Sequence, residues 1–270
     1  MPSADLSPAR KPIDNRLLQA CITFFEQEHP TKEMISTAIL STTYFGPIQW
    51  YQKLNRYNSC LVERHENFIR QTYRNRCVIA TAQGLQSLSV PVEVDGDMTL
   101  TKTAVKDVRI SDHGNWRHLH WHALMSAYGE SPFFDYYADD LRPFFERKWK
   151  YLIDFNTEIT QKMCQLLDIQ PHVSFTERYL GPQQYGSLTI LSLVFDDMRR
   201  HAGIHEHNNP QTQSLYHDFR DVIRPKHPVD DESWKPRPYY QVFSEKFGFQ
   251  PNLSILDLLF NEGNEAVMYL

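Results

Sequence analysis

The sequence predicts an α/β fold, with a mixed sheet in the N-terminal half covered by helices and a helical, loop-rich C-terminal half. Short runs rich in Ile, Val, Thr and Tyr lie within residues 35–112, and apolar residues recur at helical spacing within residues 115–168. With 270 residues, of which 41% are hydrophobic, the chain is long enough to bury a substantial core. We expect a tail and accessory helix over residues 1–34 and a single domain over residues 35–270.

The strands are separated by turn-forming residues. We expect them at residues 35–45, 59–63, 76–81, 86–92 and 105–111. Between the first two runs, Ile48, Tyr51 and Leu54 recur at helical spacing just after Pro47, which suits the start of a helix. This strand, helix, strand order is typical of a βαβ unit.

Helices dominate the middle of the chain. A helix beginning near Asn115 places one set of residues on a single side: Trp116, Leu119, His120, Ala123, Leu124, Ala127 and Tyr128. His118 and His122 fall on the other side, and their i, i+4 spacing also occurs in metal sites. Because no third ligand is placed beside them, the pattern favours a surface role over zinc. A further long helix is expected to end near Leu167.

The two ends of the chain carry weaker signals. An amphipathic helix is expected at residues 14–27, and prolines and asparagines predict irregular chain over residues 203–238. Near the C-terminus, Ser254 and Asp257 match a capping box at the start of a helix. Gly263 is expected to end that helix in the left-handed conformation.

Charge, cysteine usage and missing motifs exclude several functional classes. The 28 Lys and Arg residues against 33 Asp and Glu give a formal charge of −5 without a basic block, so a nucleic-acid partner is not expected. No apolar run reaches the roughly 18 residues of a membrane span, and the four scattered cysteines and the absence of a signal peptide predict a cytoplasmic protein. Phosphate-loop, dinucleotide, nucleophile-elbow and HExxH motifs are absent, and nothing identifies a cofactor.

Several blocks, in order along residues 38–270, resemble the WbqC-like family. They are the strand-to-helix segment Leu40–Leu54, the segments Tyr73–Arg76 and Asn115–Arg117, His120, and Tyr240–Phe243 leading to Pro251–Gly263. Where many members carry His-Gln-Pro, this chain has Ser41, Thr42 and Thr43, so no role for a histidine there carries over. The family name points to surface-polysaccharide gene clusters, so the resemblance implies a role in cell-envelope carbohydrate metabolism.

Two arginines are candidate substrate-binding residues. Arg74 and Arg76 flank Asn75 at the entrance to a predicted strand, where alternate side chains point to one face. Both guanidinium groups can then converge on a phosphate or carboxylate, and the resemblance supports including Asn75. The alternative is that both arginines pair with surface acids, which is common and contributes little energy.

His120 is the candidate catalytic residue. It lies on the apolar side of its predicted helix, whose first turn carries Trp116 and Arg117. A helix N-terminus with an arginine can hold an anion, and a histidine can transfer a proton near neutral pH. The alternative is a buried histidine that only satisfies its own hydrogen bonds. Tyr44 and Gln241 complete the predicted substrate-binding set.

These patterns leave three functional hypotheses open. The leading one is an enzyme of cell-envelope polysaccharide or amino-sugar metabolism that transfers or ligates an acyl or aminoacyl group, with His120 as general acid or base. The second is a non-catalytic binding or assembly protein that recognises a sugar nucleotide or a protein partner. The third is a metal-dependent hydrolase using the histidine clusters, His118 with His122 and His201 with His205 and His207. Gly203 argues against a rigid helix at the second cluster, and we predict no metal site. For the enzyme, and for a binding protein that recognises a sugar nucleotide, the expected ligand is a small molecule, either a nucleotide-linked sugar or another anion.

Overall fold

The computed structural model of the protein describes residues 34–96, 99–181 and 213–270. Its strands, numbered in chain order, are Met34–Ser41 (β1), Ser59–Glu63 (β2), Arg76–Thr81 (β3), Gly84–Ser89 (β4), Val92–Glu93 (β5), Arg109–Ile110 (β6), Val173–Phe175 (β7) and Gln213–Asp218 (β8). Its α-helices are Ile48–Arg56 (α1), Trp116–Tyr128 (α2), Phe134–Leu141 (α3), Pro143–Glu146 (α4), Leu152–Leu166 (α5), Ser244–Phe247 (α6) and Ile255–Glu262 (α7). Short 3₁₀ helices cover Leu100–Lys102, Val105–Asp107 and Gly263–Tyr269. The predicted α/β class is confirmed.

Strands β1, β2, β7 and β8 form a parallel sheet in the order β7-β2-β1-β8. Parallel sheets are usually covered on both faces, so their strands read as continuous apolar runs. In β1, Ala38, Ile39 and Leu40 are all fully buried. Helix α1 joins β1 to its neighbour β2, as the predicted βαβ opening requires. The strand order reverses beside β1, because β2 and β7 lie on one side of it and β8 lies on the other.

The remaining strands in the described ranges form two small antiparallel pairs, β3 with β4 and β5 with β6. The strand predicted for residues 86–92 is present as β4 but ends at Ser89, and Val92 belongs to the separate strand β5. The predicted strand is interrupted at Pro91, which has no N–H group to donate to a strand ladder. The strand predicted for residues 105–111 is reduced to Arg109–Ile110, because Val105–Asp107 forms a 3₁₀ turn instead.

Strand β8 corrects the prediction of irregular chain over residues 203–238. Residues 213–218 pair with β1 in a six-residue parallel register from Met34 with Gln213 to Ile39 with Asp218. This long-range pairing overrides the weak local signal, as strand formation often does. Beyond β8 the chain to residue 238 has no regular element, and residues 203–212 lie outside the described ranges.

Helix α2 buries a narrower face than its apolar pattern predicts. Trp116, His120, Leu124, Ala127 and Tyr128 are buried, whereas the predicted inward residue Leu119 is 63% exposed. His118 and His122 are exposed as expected, with ring centroids 4.0 Å apart.

The start and the end of α7 differ from the predicted caps. Ser254 caps the helix, because its side chain accepts a hydrogen bond from the N–H of Leu256. Asp257 does not complete the predicted capping box: the N–H of Ser254 donates to the carbonyl of Val78, and the Asp257 carboxyl group binds tyrosine hydroxyls. Gly263 ends the helix with a φ of 57° as expected, but its ψ of −128° lies outside the left-handed helical region.

The cysteines in the described ranges are buried thiols. Burial raises the pKa of Cys60, Cys77 and Cys164 to about 12 in each case. These groups stay protonated and unreactive at neutral pH, as expected for Cys60 and Cys77 from their positions in strands. Cys21 and the helix predicted for residues 14–27 lie outside the described residues.

No helix in the described parts of the chain combines the length and apolar character needed to cross a membrane.

Candidate functional site

Polar side chains gather where the parallel strands end. Strands β1, β2 and β8 end at Ser41, Glu63 and Asp218. Ser41 pairs with Glu63, and Asp218 pairs with Ile39, two residues before Ser41. All three therefore share one face of the sheet. In parallel sheets, ligands bind outside the carboxyl ends of the strands, at the point where the strand order reverses.

Glu63 is the most enclosed member of this group, with no exposed surface. Its Oε1 accepts hydrogen bonds from the Thr176 hydroxyl at 2.8 Å and the His65 N–H at 2.7 Å. Its Oε2 accepts one from the N–H of Leu180 at 2.8 Å and lies 3.6 Å from Nη1 of Arg220. Donors at this many positions satisfy the hydrogen-bonding capacity of the buried carboxyl group and offset the cost of removing it from water.

Arg220 is clamped by the carboxylate of Asp218. Its Nε and Nη2 donate to Oδ1 and Oδ2 at 2.9 and 2.7 Å, and Nη2 also donates to the carbonyl of Leu180 at 2.8 Å. Burial alone would lower the pKa of Arg220, but the hydrogen bonds and the charge of Asp218 outweigh burial and raise it. The guanidinium group is thus a permanent positive charge at the strand ends.

Arg74 is the second buried cation here, with 3% of its surface exposed. Its Nε donates to Oε1 of Glu66 at 2.9 Å, and its Nη2 lies 2.7 Å from Oε2 of Glu66 and donates to the Ser41 hydroxyl at 2.8 Å. Asn156 on α5 holds the backbone in place, since its Nδ2 donates to the carbonyl of Arg74 at 2.8 Å. Arg74 therefore links the end of β1 to the segment after β2.

We call this set the strand-end cluster. Its members are Ser41, Glu63, His65, Glu66, Arg74, Thr176, Asp218 and Arg220. The Nε2 atom of His65 is buried and has no hydrogen-bond partner within the described ranges, although the residue as a whole is only half-buried. Unpaired buried polar atoms are uncommon in native proteins and mark sites where another molecule can complete the hydrogen bonds. This atom is therefore the open donor or acceptor of the cluster.

The side chains of Asn75 and Arg76 contact the end of β4 and the residue after it rather than the strand-end cluster. The Nδ2 of Asn75 donates to the carbonyl of Val90 at 2.8 Å, and the Nε of Arg76 donates to the Ser89 hydroxyl at 3.0 Å. Arg74 and Arg76 therefore have separate partners, although alternate positions were expected to bring them together.

Tyr44, Trp116 and His120 are in contact. The Tyr44 hydroxyl and Nδ1 of His120 lie 2.9 Å apart, and the Trp116 and His120 ring centroids lie 5.2 Å apart. Burial lowers the pKa of His120 to about 4, against a smaller opposing effect from a hydrogen bond with the backbone of Ser89. The imidazole is neutral at pH 7, so Nδ1 accepts from Tyr44 if Nε2 carries the proton.

Arg117 lies beside this group, at the first turn of α2. Its guanidinium carbon sits 4.5 Å from the centre of the Trp116 ring. Its Nε donates to the carbonyl of Arg147 at 3.1 Å and its Nη1 to Asp112 at 2.8 Å. Its Nη2 is buried without a hydrogen-bond partner in the described part of the chain. Arg117 therefore retains one unused donor.

The backbone just after Tyr44 is strained. Phe45 is fully buried and has a φ of 39°, in the left-handed region that bulky side chains rarely adopt. Such strain persists only where surrounding packing enforces it, and it clusters at functional sites. The turn joining β1 to α1 is therefore held in a costly conformation between the strand-end cluster and His120.

Gln241 belongs to a third group, centred on Asp257. Its side chain donates to the carbonyl of Gln250 at 2.9 Å and accepts from the N–H of Gln250 at 2.8 Å, while its Nε2 lies 3.4 Å from Oδ1 of Asp257. The hydroxyls of Tyr128 and Tyr239 donate to Asp257 at 2.8 and 2.7 Å. These contacts join α7 to α2 and to the chain before α6.

The sequence pattern missed most of the strand-end cluster. Glu63, His65 and Glu66 have no periodic signature, but they follow a predicted strand closely, which is a usable signal for a site in a parallel sheet. Asp218 and Arg220 fell within chain that was predicted to be irregular. Their strand is recognisable only through its pairing with β1.

A comparison with models of protein families shows which family this chain belongs to. The model of the WbqC-like protein family matches residues 42–269. This chain belongs to the WbqC-like family. The match begins at Thr42, immediately after Ser41, and covers α1, β2, every candidate residue that the sequence pattern selected and all members of the strand-end cluster except Ser41. No group of three or more potential metal ligands occurs in the described residues of this WbqC-like protein, and His201, His205 and His207 lie outside them.

A relative in Mycobacterium tuberculosis is similar to this WbqC-like protein over most of both chains. It is an uncharacterised protein that is 27% identical over 245 residues, covering 88% of this chain and 98% of the relative. No solved structure matches the chain significantly.

Proposed function

We propose that this WbqC-like protein is an enzyme of cell-envelope carbohydrate metabolism that binds an anionic substrate at the strand-end cluster. The reaction is the transfer or ligation of an acyl or aminoacyl group to an amino sugar or a related amine. The observation that carries the proposal is the pair of buried guanidinium groups, Arg74 and Arg220, at the carboxyl edge of the parallel sheet. The link to the cell envelope rests on the family resemblance.

The two guanidinium groups support binding of a phosphate or carboxylate. The hydrogen bonds of Arg74 come from Nε and Nη2, so Nη1 has no partner in the described residues. Nη1 of Arg220 makes only a 3.6 Å contact with Glu63. Each guanidinium group is also bound by a carboxylate on the side away from the expected anion. This contact fixes the orientation of the guanidinium group before the anion binds, which reduces the entropy lost on binding.

The proposed transfer also needs a base. The amine nitrogen forms the new amide bond, the leaving group of the acyl donor departs with the bonding electron pair, and a base takes the proton that nitrogen loses. His120 is the base that the sequence pattern selects, and it would receive the proton through the Tyr44 hydroxyl that it already contacts. His65 is the second candidate, because its Nε2 has no partner among the described residues.

Binding without catalysis is the second candidate function, and one observation favours it. His120 is neutral at pH 7 and already engages Tyr44 and the backbone of Ser89, as a structural histidine would. In that case the protein recognises a sugar nucleotide or a protein partner and performs no turnover.

The test is a thermal-shift screen of sugar nucleotides, acyl-CoAs, amino acids and ATP, followed by product analysis of each stabilising pair. A ligand raises the melting temperature by mass action. An amide product whose formation is reduced at least about 100-fold in His65→Gln or His120→Gln, with melting temperatures unchanged, supports the enzyme and identifies its base. Stabilisation without any product favours the binding protein. An absence of binding by every anion contradicts both the enzyme and the recognition of a sugar nucleotide.

A further inference from the structure

A cavity of about 530 Å³ opens between α5 and the ends of the parallel strands. Val62 of β2 and Phe175 of β7 line it from the sheet, Trp50 lines it from α1, and Thr157 and Gln165 line it from α5. Cavities of roughly 300–1,000 Å³ are typical of small-molecule sites. The volume is therefore large enough for a nucleoside.

The cavity lining combines apolar and uncharged polar groups. Its deeper wall contains the buried side chains of Trp50, Val62 and Ile169, whereas Gln161 and Gln165 are exposed at its edge. Seven of the lining residues carry a hydroxyl, amide or carboxyl group: Thr42, Thr157, Thr160, Gln161, Gln165, Asp168 and Gln170. The Thr157 hydroxyl already donates to the carbonyl of Ile153, but a purely aliphatic occupant would cover the amides of Gln161 and Gln165 without giving them a hydrogen-bond partner. The occupant must have both an apolar face and hydrogen-bonding edges.

Charge narrows the choice of occupant. Asp168 is the one ionisable carboxyl or basic residue among the described lining residues, which include no Lys, Arg or His. A phosphate group inside the cavity would meet no compensating cation. Nucleobases fit the remaining requirements, because they are flat and uncharged, stack on aromatic rings such as Trp50 and Phe175, and present edges that glutamine amides pair with.

The cavity lies beside the strand-end cluster. Its lining residues Thr42 and Val62 directly follow or precede the cluster members Ser41 and Glu63 in sequence. Successive side chains of a strand point to opposite faces, so the cavity and the cluster occupy the two faces of the sheet and approach each other at the carboxyl edge. A nucleotide is long enough to place its base on one face and its phosphates at this edge.

We infer that the cavity between α5 and strands β2 and β7 binds the base and ribose of a nucleotide whose phosphates reach the strand-end cluster. This inference rests on the proposed function for the phosphate end, but the base-binding part is separable. It assigns the anionic substrate to the nucleotides rather than to simple phosphates or carboxylates.

The test is isothermal titration calorimetry with uridine, adenosine, their diphosphates and inorganic pyrophosphate. At least one nucleoside diphosphate should bind about ten-fold or more tightly than pyrophosphate. Thr157→Phe, which fills the cavity from a half-buried helical position, should remove that gain and leave the pyrophosphate Kd unchanged. Asp154→Phe places the same side chain at an exposed position of α5 outside the lining and should bind like the wild type.

Gln165→Ala provides a variant with no folding risk, because this side chain is exposed, and it should weaken nucleoside diphosphate binding several-fold. The inference is overturned if no nucleoside diphosphate binds more tightly than pyrophosphate, or if both cavity variants bind like the wild type. Nucleoside binding that Thr157→Phe removes, with no binding of pyrophosphate, would support the cavity assignment and contradict the proposed anion site. Pyrophosphate binding to which the nucleoside adds no affinity would support the proposed anion site and contradict the cavity assignment.

Discussion

Individual residues owe their roles here to partners far away in the chain. Lys53 is an example: its side chain is fully buried, and its Nζ lies 2.6 Å from Oδ2 of Asp231 and donates to the Ser233 hydroxyl at 2.6 Å. Burial lowers the pKa of Lys53, while the hydrogen bond and charge of Asp231 oppose that shift. The pair attaches the irregular chain after β8 to helix α1.

Replacement of Lys53 tests this attachment. Lys53→Ala should lower the free energy of unfolding by about 3 to 5 kcal/mol, because it leaves the Asp231 carboxylate buried without its counter-charge. Urea denaturation measures the change. The control is Arg142→Ala, which removes an exposed i, i+4 pair with Glu146 and should cost less than about 1 kcal/mol. Equal losses in the two variants would contradict a special role for the buried pair.

Asp257 makes a pH-dependent contribution to stability. Full burial raises its pKa from 3.8 to about 6, although hydrogen bonds from Tyr239 and Tyr128 oppose the shift. A carboxyl group whose pKa is raised on folding stabilises the protein below its unfolded pKa and loses that contribution as the pH rises through about 6. Relative to Asp257→Asn, the wild type should therefore be more stable at pH 4 than at pH 7, by up to about 3 kcal/mol.

Chemical denaturation of both proteins at the two pH values measures this difference. Asp112→Asn is the matched control, because hydrogen bonds from Lys148 and Arg117 lower the pKa of Asp112. Its pH dependence should have the opposite sign, with the wild type gaining relative stability as the pH rises. A difference between wild type and Asp257→Asn that does not vary with pH would show that Asp257 titrates normally.

The sequence pattern predicted the contacts of some site residues and not others. Trp116 and His120 lie together because both fall on the buried side of the predicted helix, whereas Tyr44 reaches His120 from the turn after β1, in chain that was predicted to continue the first strand to residue 45. Arg74 and Arg76 separate because the chain at Arg74 is held by Glu66 and Asn156, neither of which the local pattern identifies. Side-chain partners far apart in sequence leave no periodic signal.

Among the helices and strands, amphipathic helices and apolar strands were predictable and their ends were not. Helix α2 and strand β2 follow from periodicity, whereas β8 forms because β1 has an unpaired edge that it completes. Backbone pairing of this kind depends on the tertiary fold. Helix caps also depend on the tertiary fold, because the Asp257 carboxyl group binds Tyr128 and Tyr239 instead of the start of its own helix.

The junction between α7 and the final 3₁₀ helix depends on Gly263. A Cβ at this position would lie 2.7 Å from Cδ1 of Phe133, and its φ of 57° already disfavours other residues. Gly263→Ala should therefore lower the free energy of unfolding by about 2 kcal/mol or more. Gly84→Ala is the control, because Gly84 also has a positive φ, of 107°, but a Cβ added there would have no atom within 4 Å.

Urea denaturation of both glycine variants separates the two effects. The loss in Gly84→Ala reports backbone strain, and the additional loss in Gly263→Ala reports the collision with Phe133. If Gly263→Ala were no less stable than Gly84→Ala, the close approach of α7 to the start of α3 would be wrong.

Across the whole molecule, the strand order matters most. A four-stranded parallel sheet whose order reverses beside β1 brings Ser41, Glu63 and Asp218 to one edge. The α/β class was predictable from the alternation of strands and helices. The separation into one parallel sheet and two antiparallel pairs was not, because strand direction and order depend on contacts between distant segments. The single domain over residues 35–270 remains a prediction.

A crystal structure of the protein with inorganic pyrophosphate would show whether the strand-end cluster is an anion site. We expect the anion at the carboxyl edge of the parallel sheet, within hydrogen-bond distance of Arg74 and Arg220. Arg220→Lys, which keeps the charge but loses the two-point contact with Asp218, should weaken pyrophosphate binding at least about ten-fold. Arg56→Lys, which alters a two-point contact with the Leu270 carbonyl, should have no effect. Pyrophosphate bound at Arg76 or Arg117, or equal binding by both lysine variants, would contradict an anion site at the strand ends.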